Sequence, residues 1–478
     1  MRDLRVLITA TVAVALLAGC SGGDDNKATD QPSAGGTSTS PTPSGADLAT
    51  FDPPKAFTPV SGLAEGDVAG GPNRYNVEAG MVGQTSLYAL RTGLSAVTLS
   101  ANSWQLPSAD VPTTETADLT PPMAVQLNGK EVIAIAYAQL VQGSGTQKAH
   151  GQVSFQWVDP IDGKVLAAAA ADLTSLLGPG YTGSDFGAPA YDPATGQIAV
   201  SLSGQSSTKV HEFTVFADPV TQKASTIASV RSAGVQNGVV VGVKGSQQEG
   251  AKDNAIVQVD GVSGTVKKSV PVPAMNYLTP TGTGGKHAYI AGTGAMAGAK
   301  NGLGQANSIY AVDIATGTVV ETKLPASSES ADATCFSDHV AAVVCNRSLD
   351  DEKSAIAGFD DATGKLAWSY DSSSNRVVPT ITTMYNGLVY GAADDKAVLL
   401  DAKTGQDVPA PTATPTATDT PSFDDSGTVG GWGDTSLLDG GPQSPAMVSK
   451  YGSVYLQEPT NKASPRTEKI LVVQKAIG

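Results

Sequence analysis

One turn recurs along this chain at intervals too regular to be incidental. Three close copies lie in segments 309–320, 356–368 and 398–408, and each reads as a strand, an Asp, a Thr-Gly pair and a second strand. The key residues are Asp313 and Gly317, Asp360 and Gly364, and Asp401 and Gly405. An Asp opening such a turn accepts nearby backbone N–H groups, and a Gly after Thr supplies the positive φ that returns the second strand into register. Looser copies begin at Asp159, Asp192, Asp218 and Asp260. Gly317 and Gly364 are 47 residues apart, and Gly364 and Gly405 are 41 apart. A lone hairpin cannot bury its apolar face, so a period of this length means small antiparallel sheets stacked on one another.

Further strand signals precede several copies, at 287–291, 340–345 and 387–391. Their small residues and glycines suit them to be the inner strands crowding an axis. With 53 glycines and 29 prolines in 478 residues, and alanines that never fall at helical spacing, the chain is rich in turns and poor in long helices. These features predict an all-β fold, a seven- or eight-bladed β-propeller. Counting from 129 gives seven blades, and taking 80–127 as an independent blade gives eight. The last stretch, 452–457 and 469–474, lacks the turn, which predicts that an N-terminal strand closes the ring, with 86–90 as candidate. Closure removes the sheet edges that invite aggregation.

The chain starts with a short basic segment, Met1-Arg2-Asp3-Leu4-Arg5, and an apolar run from Val6 to Leu17 too short to span a bilayer permanently. That run ends in Leu16-Leu17-Ala18-Gly19-Cys20, which resembles the lipobox of bacterial lipoproteins. The resemblance implies a signal peptide at 1–19 and lipidation of Cys20, with the bilayer as one partner. Two or more acyl chains anchor stably. Residues 20–50 offer almost nothing apolar and read as a disordered tether. The propeller domain is expected over 51–478, with a Pro/Thr-rich exposed insertion at about 409–424, where proline density precludes a packed strand. These features place the protein on the extracytoplasmic face of the cell membrane. The formal charge is -15, and no basic patch offsets it, which argues against nucleic acid as a partner.

Candidate chemistry is sparse. Cys335 and Cys345 stand ten apart in neither a CxxC nor a zinc pattern, and in an exported chain they are expected to form a disulfide. The histidines, His150, His211, His287 and His339, fall in four separate stretches. Acidic pairs at 24–25, 351–352, 394–395 and 424–425 lack EF-hand spacing, so calcium is possible but has no assigned ligands. The glycine-rich 282–285 and 292–294 run into β segments and not into a helix N-terminus that would receive phosphate. The one Gly-x-Ser-x-Gly match, at 19–23, leads into the tether and cannot form a nucleophile elbow. No catalytic residue is assigned.

The form Asp360, Thr363, Gly364, Trp368 resembles the repeat of bacterial propellers of the pyrroloquinoline quinone (PQQ)-like superfamily, in which the tryptophan docks one blade on the next. Together with the lipobox it is similar to propeller lipoproteins related to the barrel-assembly subunit of the outer membrane. The other close copies have Glu321 and Pro409 at the tryptophan position, and looser ones have Ala167, Val200 and Lys268. The resemblance implies either a scaffold that binds a cell-envelope protein or polymer through its ring surface, or a quinoprotein dehydrogenase with quinone and calcium on the axis. Dehydrogenase relatives carry adjacent cysteines over the quinone, and this chain has none. A non-catalytic binding or scaffolding propeller with no cofactor is therefore the leading expectation. A PQQ-dependent dehydrogenase and a solute- or carbohydrate-binding receptor stand as alternatives.

Overall fold

In all three close copies the turn forms through the bonds its residue types allow. Asp313 Oδ1 accepts the Thr316 N–H at 2.8 Å, the Gly317 N–H reaches the Asp313 carbonyl at 2.8 Å, and Gly317 has φ of 63°. Asp401 accepts the Thr404 N–H and hydroxyl, both at 2.8 Å, and Asp360 accepts the Ala362 N–H and the Thr363 hydroxyl. The Asp closes its own turn locally, while the N–H of the residue after it donates to a second turn of the same blade, Ile314 to the Lys286 carbonyl, Asp361 to that of Ala341 and Ala402 to that of Gly387.

The computed structural model describes residues 48–58, 63–64, 78–90, 93–99, 103–107, 114–206, 209–295, 305–327, 333–348, 354–394, 396–409, 444–457 and 470–478. They belong to one unit, Asp47–Gly478. Cys20, the tether up to residue 47, Trp432 and all of the insertion beyond Pro409 lie outside the described residues, while Leu48 at the tether's end packs on the core of the last joint.

The chain forms eight antiparallel sheets, so the eight-bladed reading holds. In chain order the blades cover 78–107, 114–172, 183–228, 231–271, 277–327, 333–371 and 380–401, with blade 8 formed by 447–475 and the N-terminal strand Leu63–Ala64. Among the described residues helix is limited to the single turn Thr174–Leu177, and no helix there is long and apolar enough to cross a membrane. The core is divided among the joints between blades. Ile133 and Tyr137 of blade 2 pack with Leu87 and Leu94 of blade 1, and Val343 and Phe359 of blade 6 pack with Tyr289 and Ile309 of blade 5. At the last joint Met81 of blade 1 meets Val454 and Val473 of blade 8. The middle strands of a blade therefore bury both faces, which explains runs such as Val239–Lys244 that are apolar without alternation, while outer strands such as Val266–Pro271 stay exposed.

Two sequence expectations are corrected. Residues 86–90 do not close the ring; Thr85–Leu90 is the second strand of an independent blade 1. Closure falls to Leu63–Ala64, which pairs with Val472 and Leu471, backed by a bridge between Phe57 and Ala476. A two-residue strand in a Pro/Gly-rich stretch gives no periodic signal. The segments expected to be innermost, 287–291, 340–345 and 387–391, lie in the second strands of their blades. The innermost are the more polar Tyr277–Thr283, Ala333–Ser337 and Thr380–Tyr385. The second strand is buried on both faces between neighbouring strands and blades, so it carries the strongest apolar signal.

Candidate functional site

The structure gives structural work to most of the residues singled out in the sequence. Cys335 and Cys345 lie directly opposite each other on adjacent strands of blade 6 and are joined by a disulfide. Gly282–Gly285 forms a strand end and inner turn, and 292–294 lies within the strand His287–Ala295. His150 and His211 sit apart, near the Lys148 carbonyl and the Ser206 hydroxyl. His287 and His339 come near one another through Asp361. The Asp361 carboxylate accepts the N–H groups of Lys286 and His287 and the Tyr289 hydroxyl at 2.8–3.2 Å, and its carbonyl lies 2.6 Å from His287 Nδ1. This buried carboxylate clasps blade 6 to blade 5. The His339 ring lies 4.8 Å from that of Tyr191 of blade 3, tilted at 55°, so turns from distant blades meet on the axis side. Burial holds the His339 imidazole below its ordinary value, against the Gly284 carbonyl and the carboxylates of Asp338, Asp361 and Asp192.

Trp368 docks blade 6 on the turn of blade 7: its Nε1–H donates to the Ala402 carbonyl at 3.0 Å, and its ring lies where a side chain on Gly405 would go. Trp104 repeats the arrangement at the joint of blades 1 and 2, with Nε1–H to the Pro160 carbonyl at 3.0 Å and its ring over Gly163. The sequence pattern missed it because blade 1 lacks the Asp-x-x-Thr-Gly turn by which the position was counted. At the joint of blades 4 and 5, Gln258 donates to the Ile314 and Ala315 carbonyls and Lys268 to that of Thr316. Docking therefore survives where the tryptophan does not. The copy at Asp192 joins the first and second strands of blade 3, an inner turn and not an outer one.

The feature left without a structural role is a cleft of about 540 Å3 beside blade 7. Among the described residues blade 7 has three strands, Thr380–Tyr385, Leu388–Ala393 and Lys396–Asp401. A fourth begins as a stub: Asp401 N–H reaches the Gln406 carbonyl and Val408 N–H the Leu399 carbonyl, both at 2.9 Å. Pro409 follows, without an N–H to continue the ladder. One wall comes from blade 6. There the Arg376 guanidinium lies 4.2 Å over the Tyr370 ring, and its Nη1 and Nη2 donate to the Gly405 carbonyl and Asp407, each at 2.9 Å. Burial raises the Tyr370 phenol, with Arg376 pulling it down and Asp407 pushing it up. Its buried hydroxyl has no hydrogen-bond partner among the described residues. The other wall holds Lys55, Phe57, Tyr390 and Tyr455. Tyr390 donates to the Pro54 carbonyl at 2.6 Å, and burial pushes the Tyr455 phenol up to about 12. Aromatic walls carrying two cations and an unpartnered hydroxyl suit a ligand that is part apolar and part hydrogen-bonding.

No protein-family model matches the chain, and no curated protein does. Among solved structures it is similar to the β-propeller domain of the Trilobed protease from Pyrococcus furiosus, at 13% identity and a TM-score of 0.41, covering 76% of this chain and 99% of that one. It is also similar to a dihydro-heme d1 dehydrogenase, at 16% identity and a TM-score of 0.41, covering 76% and 75%. An oligogalacturonate lyase solved with manganese stands at 12% identity and a TM-score of 0.33, covering 76% and 98%. At these identities the likeness is one of fold.

Proposed function

We propose that this protein is a lipid-anchored, extracytoplasmic binding or scaffolding propeller of the PQQ-like repeat type, tethered through Cys20, that works by holding a cell-envelope partner and not by catalysis. The observation that carries the reading is the cleft beside blade 7. Tyr370 with Arg376 and Val377 lines one side and Tyr455 with Lys55 and Phe57 the other, and the Lys55 ammonium and the Tyr370 hydroxyl have no partner among the described residues. Groups that resemble catalytic equipment are already committed: Asp361, His287 and Tyr289 are buried in one structural clasp. A quinone does not fit the residues present. The cysteines are a cross-strand pair and not adjacent in sequence. Trp104, Trp157 and Trp368 are each tied by their indole N–H to a neighbouring blade's turn.

The test is site-specific photocrosslinking in intact cells, with the reactive group at Lys55 or Val377 on the cleft walls and at exposed Val266 of blade 4 as control. One protein or polymer recovered from both wall positions and absent at Val266 supports the reading. Equal labelling at all three overturns it, as would alcohol or sugar oxidation by purified protein given pyrroloquinoline quinone and calcium. Cys20→Ala should release the protein from the membrane fraction; unchanged retention and mass would remove the anchor.

A further inference from the structure

The edge beside the cleft has a definite geometry. Asp401 N–H and Leu399 C=O point outward, to Gln406 and Val408. Side-to-side alternation in an antiparallel strand then turns the N–H and C=O of Ala397, and the N–H of Leu399, to the same edge. None of these has a partner among the described residues. In the other seven sheets the outermost position is filled, in blade 8 by a strand as short as Leu63–Ala64. Blade 7 alone leaves part of it open among the described residues, and there the walls from blades 6 and 8 stand on either side of the edge.

We propose that an extended peptide from a partner protein adds to this edge as the missing outer strand of blade 7, in line with the stub at 406–408. The proposal rests on the binding reading above and names its partner class. An added strand places alternate side chains on opposite sides. One set meets Tyr370, Arg376 and Val377, and the other meets Phe57, Tyr455 and Lys55. Lys55 has no ion pair among the described residues, so the peptide that fits alternates apolar or aromatic residues with a carboxylate. Main-chain bonds supply the attachment and the two walls the selection.

The probe is the chain's own outer-strand sequence KLAWSYD, that of 365–371, fused through a flexible Gly/Ser linker to Gly478 of the full chain. Gly478 is a suitable site because its carbonyl accepts the Ala56 N–H beside the cleft. Tethering gives a local concentration of roughly millimolar, so a weak site is still read. Hydrogen exchange at Ala397 and Leu399 should slow at least tenfold relative to a Gly/Ser tail of equal length. In Ala397→Pro the protection at Leu399 should be lost while the melting temperature is kept, since the removed N–H faces outward. A free KLAWSYD peptide N-methylated at alternate residues should fail to compete. Unchanged exchange in the fusion, full competition by the N-methylated peptide, or protection gained only after residues 422–441 are excised would each overturn strand addition. The last would make the chain itself the occupant. If photocrosslinking still finds a partner on the walls while exchange is unchanged, the binding reading stands and strand addition alone falls.

Discussion

Asp361 and His339 show how much of this protein's charge is spent on holding turns together. Asp361 is buried and receives three donors from blade 5. Asp361→Ala should therefore cost about 3 kcal/mol in urea unfolding, the range for removing a charged acceptor from buried donors. Burial holds the His339 imidazole below its unfolded pKa in the fold. Below its unfolded value of about 6.5 the unfolded chain takes up a proton that the folded chain refuses, so stability falls as the pH drops from there toward the folded pKa. Its backbone φ of 55° is one that Asn tolerates. His339→Asn should keep the fold and flatten the urea midpoint between pH 7 and pH 5; an unchanged slope would assign the dependence to other groups. Neither role was legible in the sequence, which shows four scattered histidines and an Asp one residue past the repeat position. Only the ring brings those loops together.

The strand-turn-strand unit was the legible part, because Asp and Gly act within a few residues of themselves. Gln222 marks the limit: it holds the positive φ of a turn glycine, at 52°, with Asp218 still accepting the Val220 N–H. The blade joints were less legible, because the tryptophan rule was tied to a local spacing and the docking is not local. Trp104 and Trp368 make the same pair of contacts on neighbouring turns, so matched substitutions should behave alike. Trp→Phe at either site should cost about 1 kcal/mol for the lost hydrogen bond. Trp→Ala should cost about 2 kcal/mol more as the half-buried ring is removed. A neutral Trp104→Ala in chemical denaturation would show that the blade 1 joint is held by its apolar layer alone. The disulfide of blade 6 closes only a ten-residue span, for which chain entropy allows about 3 kcal/mol at most. Reduction should therefore lower the denaturation midpoint without abolishing the β circular-dichroism signal.

At the scale of the whole ring, the first and last described segments must hold what the other joints receive from continuous chain. Leu63–Ala64 contributes one short pairing, and most of the seam lies earlier, in 51–58. Phe51 N–H donates to the Lys450 carbonyl at 2.9 Å and Thr58 N–H to that of Lys475 at 2.8 Å, while Ile477 N–H returns to Ala56 at 3.0 Å. Phe57 meets the Tyr390 ring at 6.3 Å, and Asn386 donates to Asp52 at 2.7 Å. The sequence showed that an N-terminal strand was needed, since the last stretch lacked its turn, but these residues have no repeat signature to reveal which one. Four or so backbone bonds at about 1 kcal/mol each, with one aromatic ring, make the seam worth about 5 kcal/mol. For a unit of this size that corresponds to a melting-point difference on the order of 5 °C. A chain beginning at Glu65 should therefore melt lower by about that amount than one beginning at Leu48. It should also be cut sooner by protease at the exposed edge of Ile470–Lys475, because that strand loses its only outer neighbour. Equal melting and equal proteolysis of the two chains, measured by calorimetry and timed trypsin digestion, would show that blade 8 is closed by the packing of Met81 and Val454 alone.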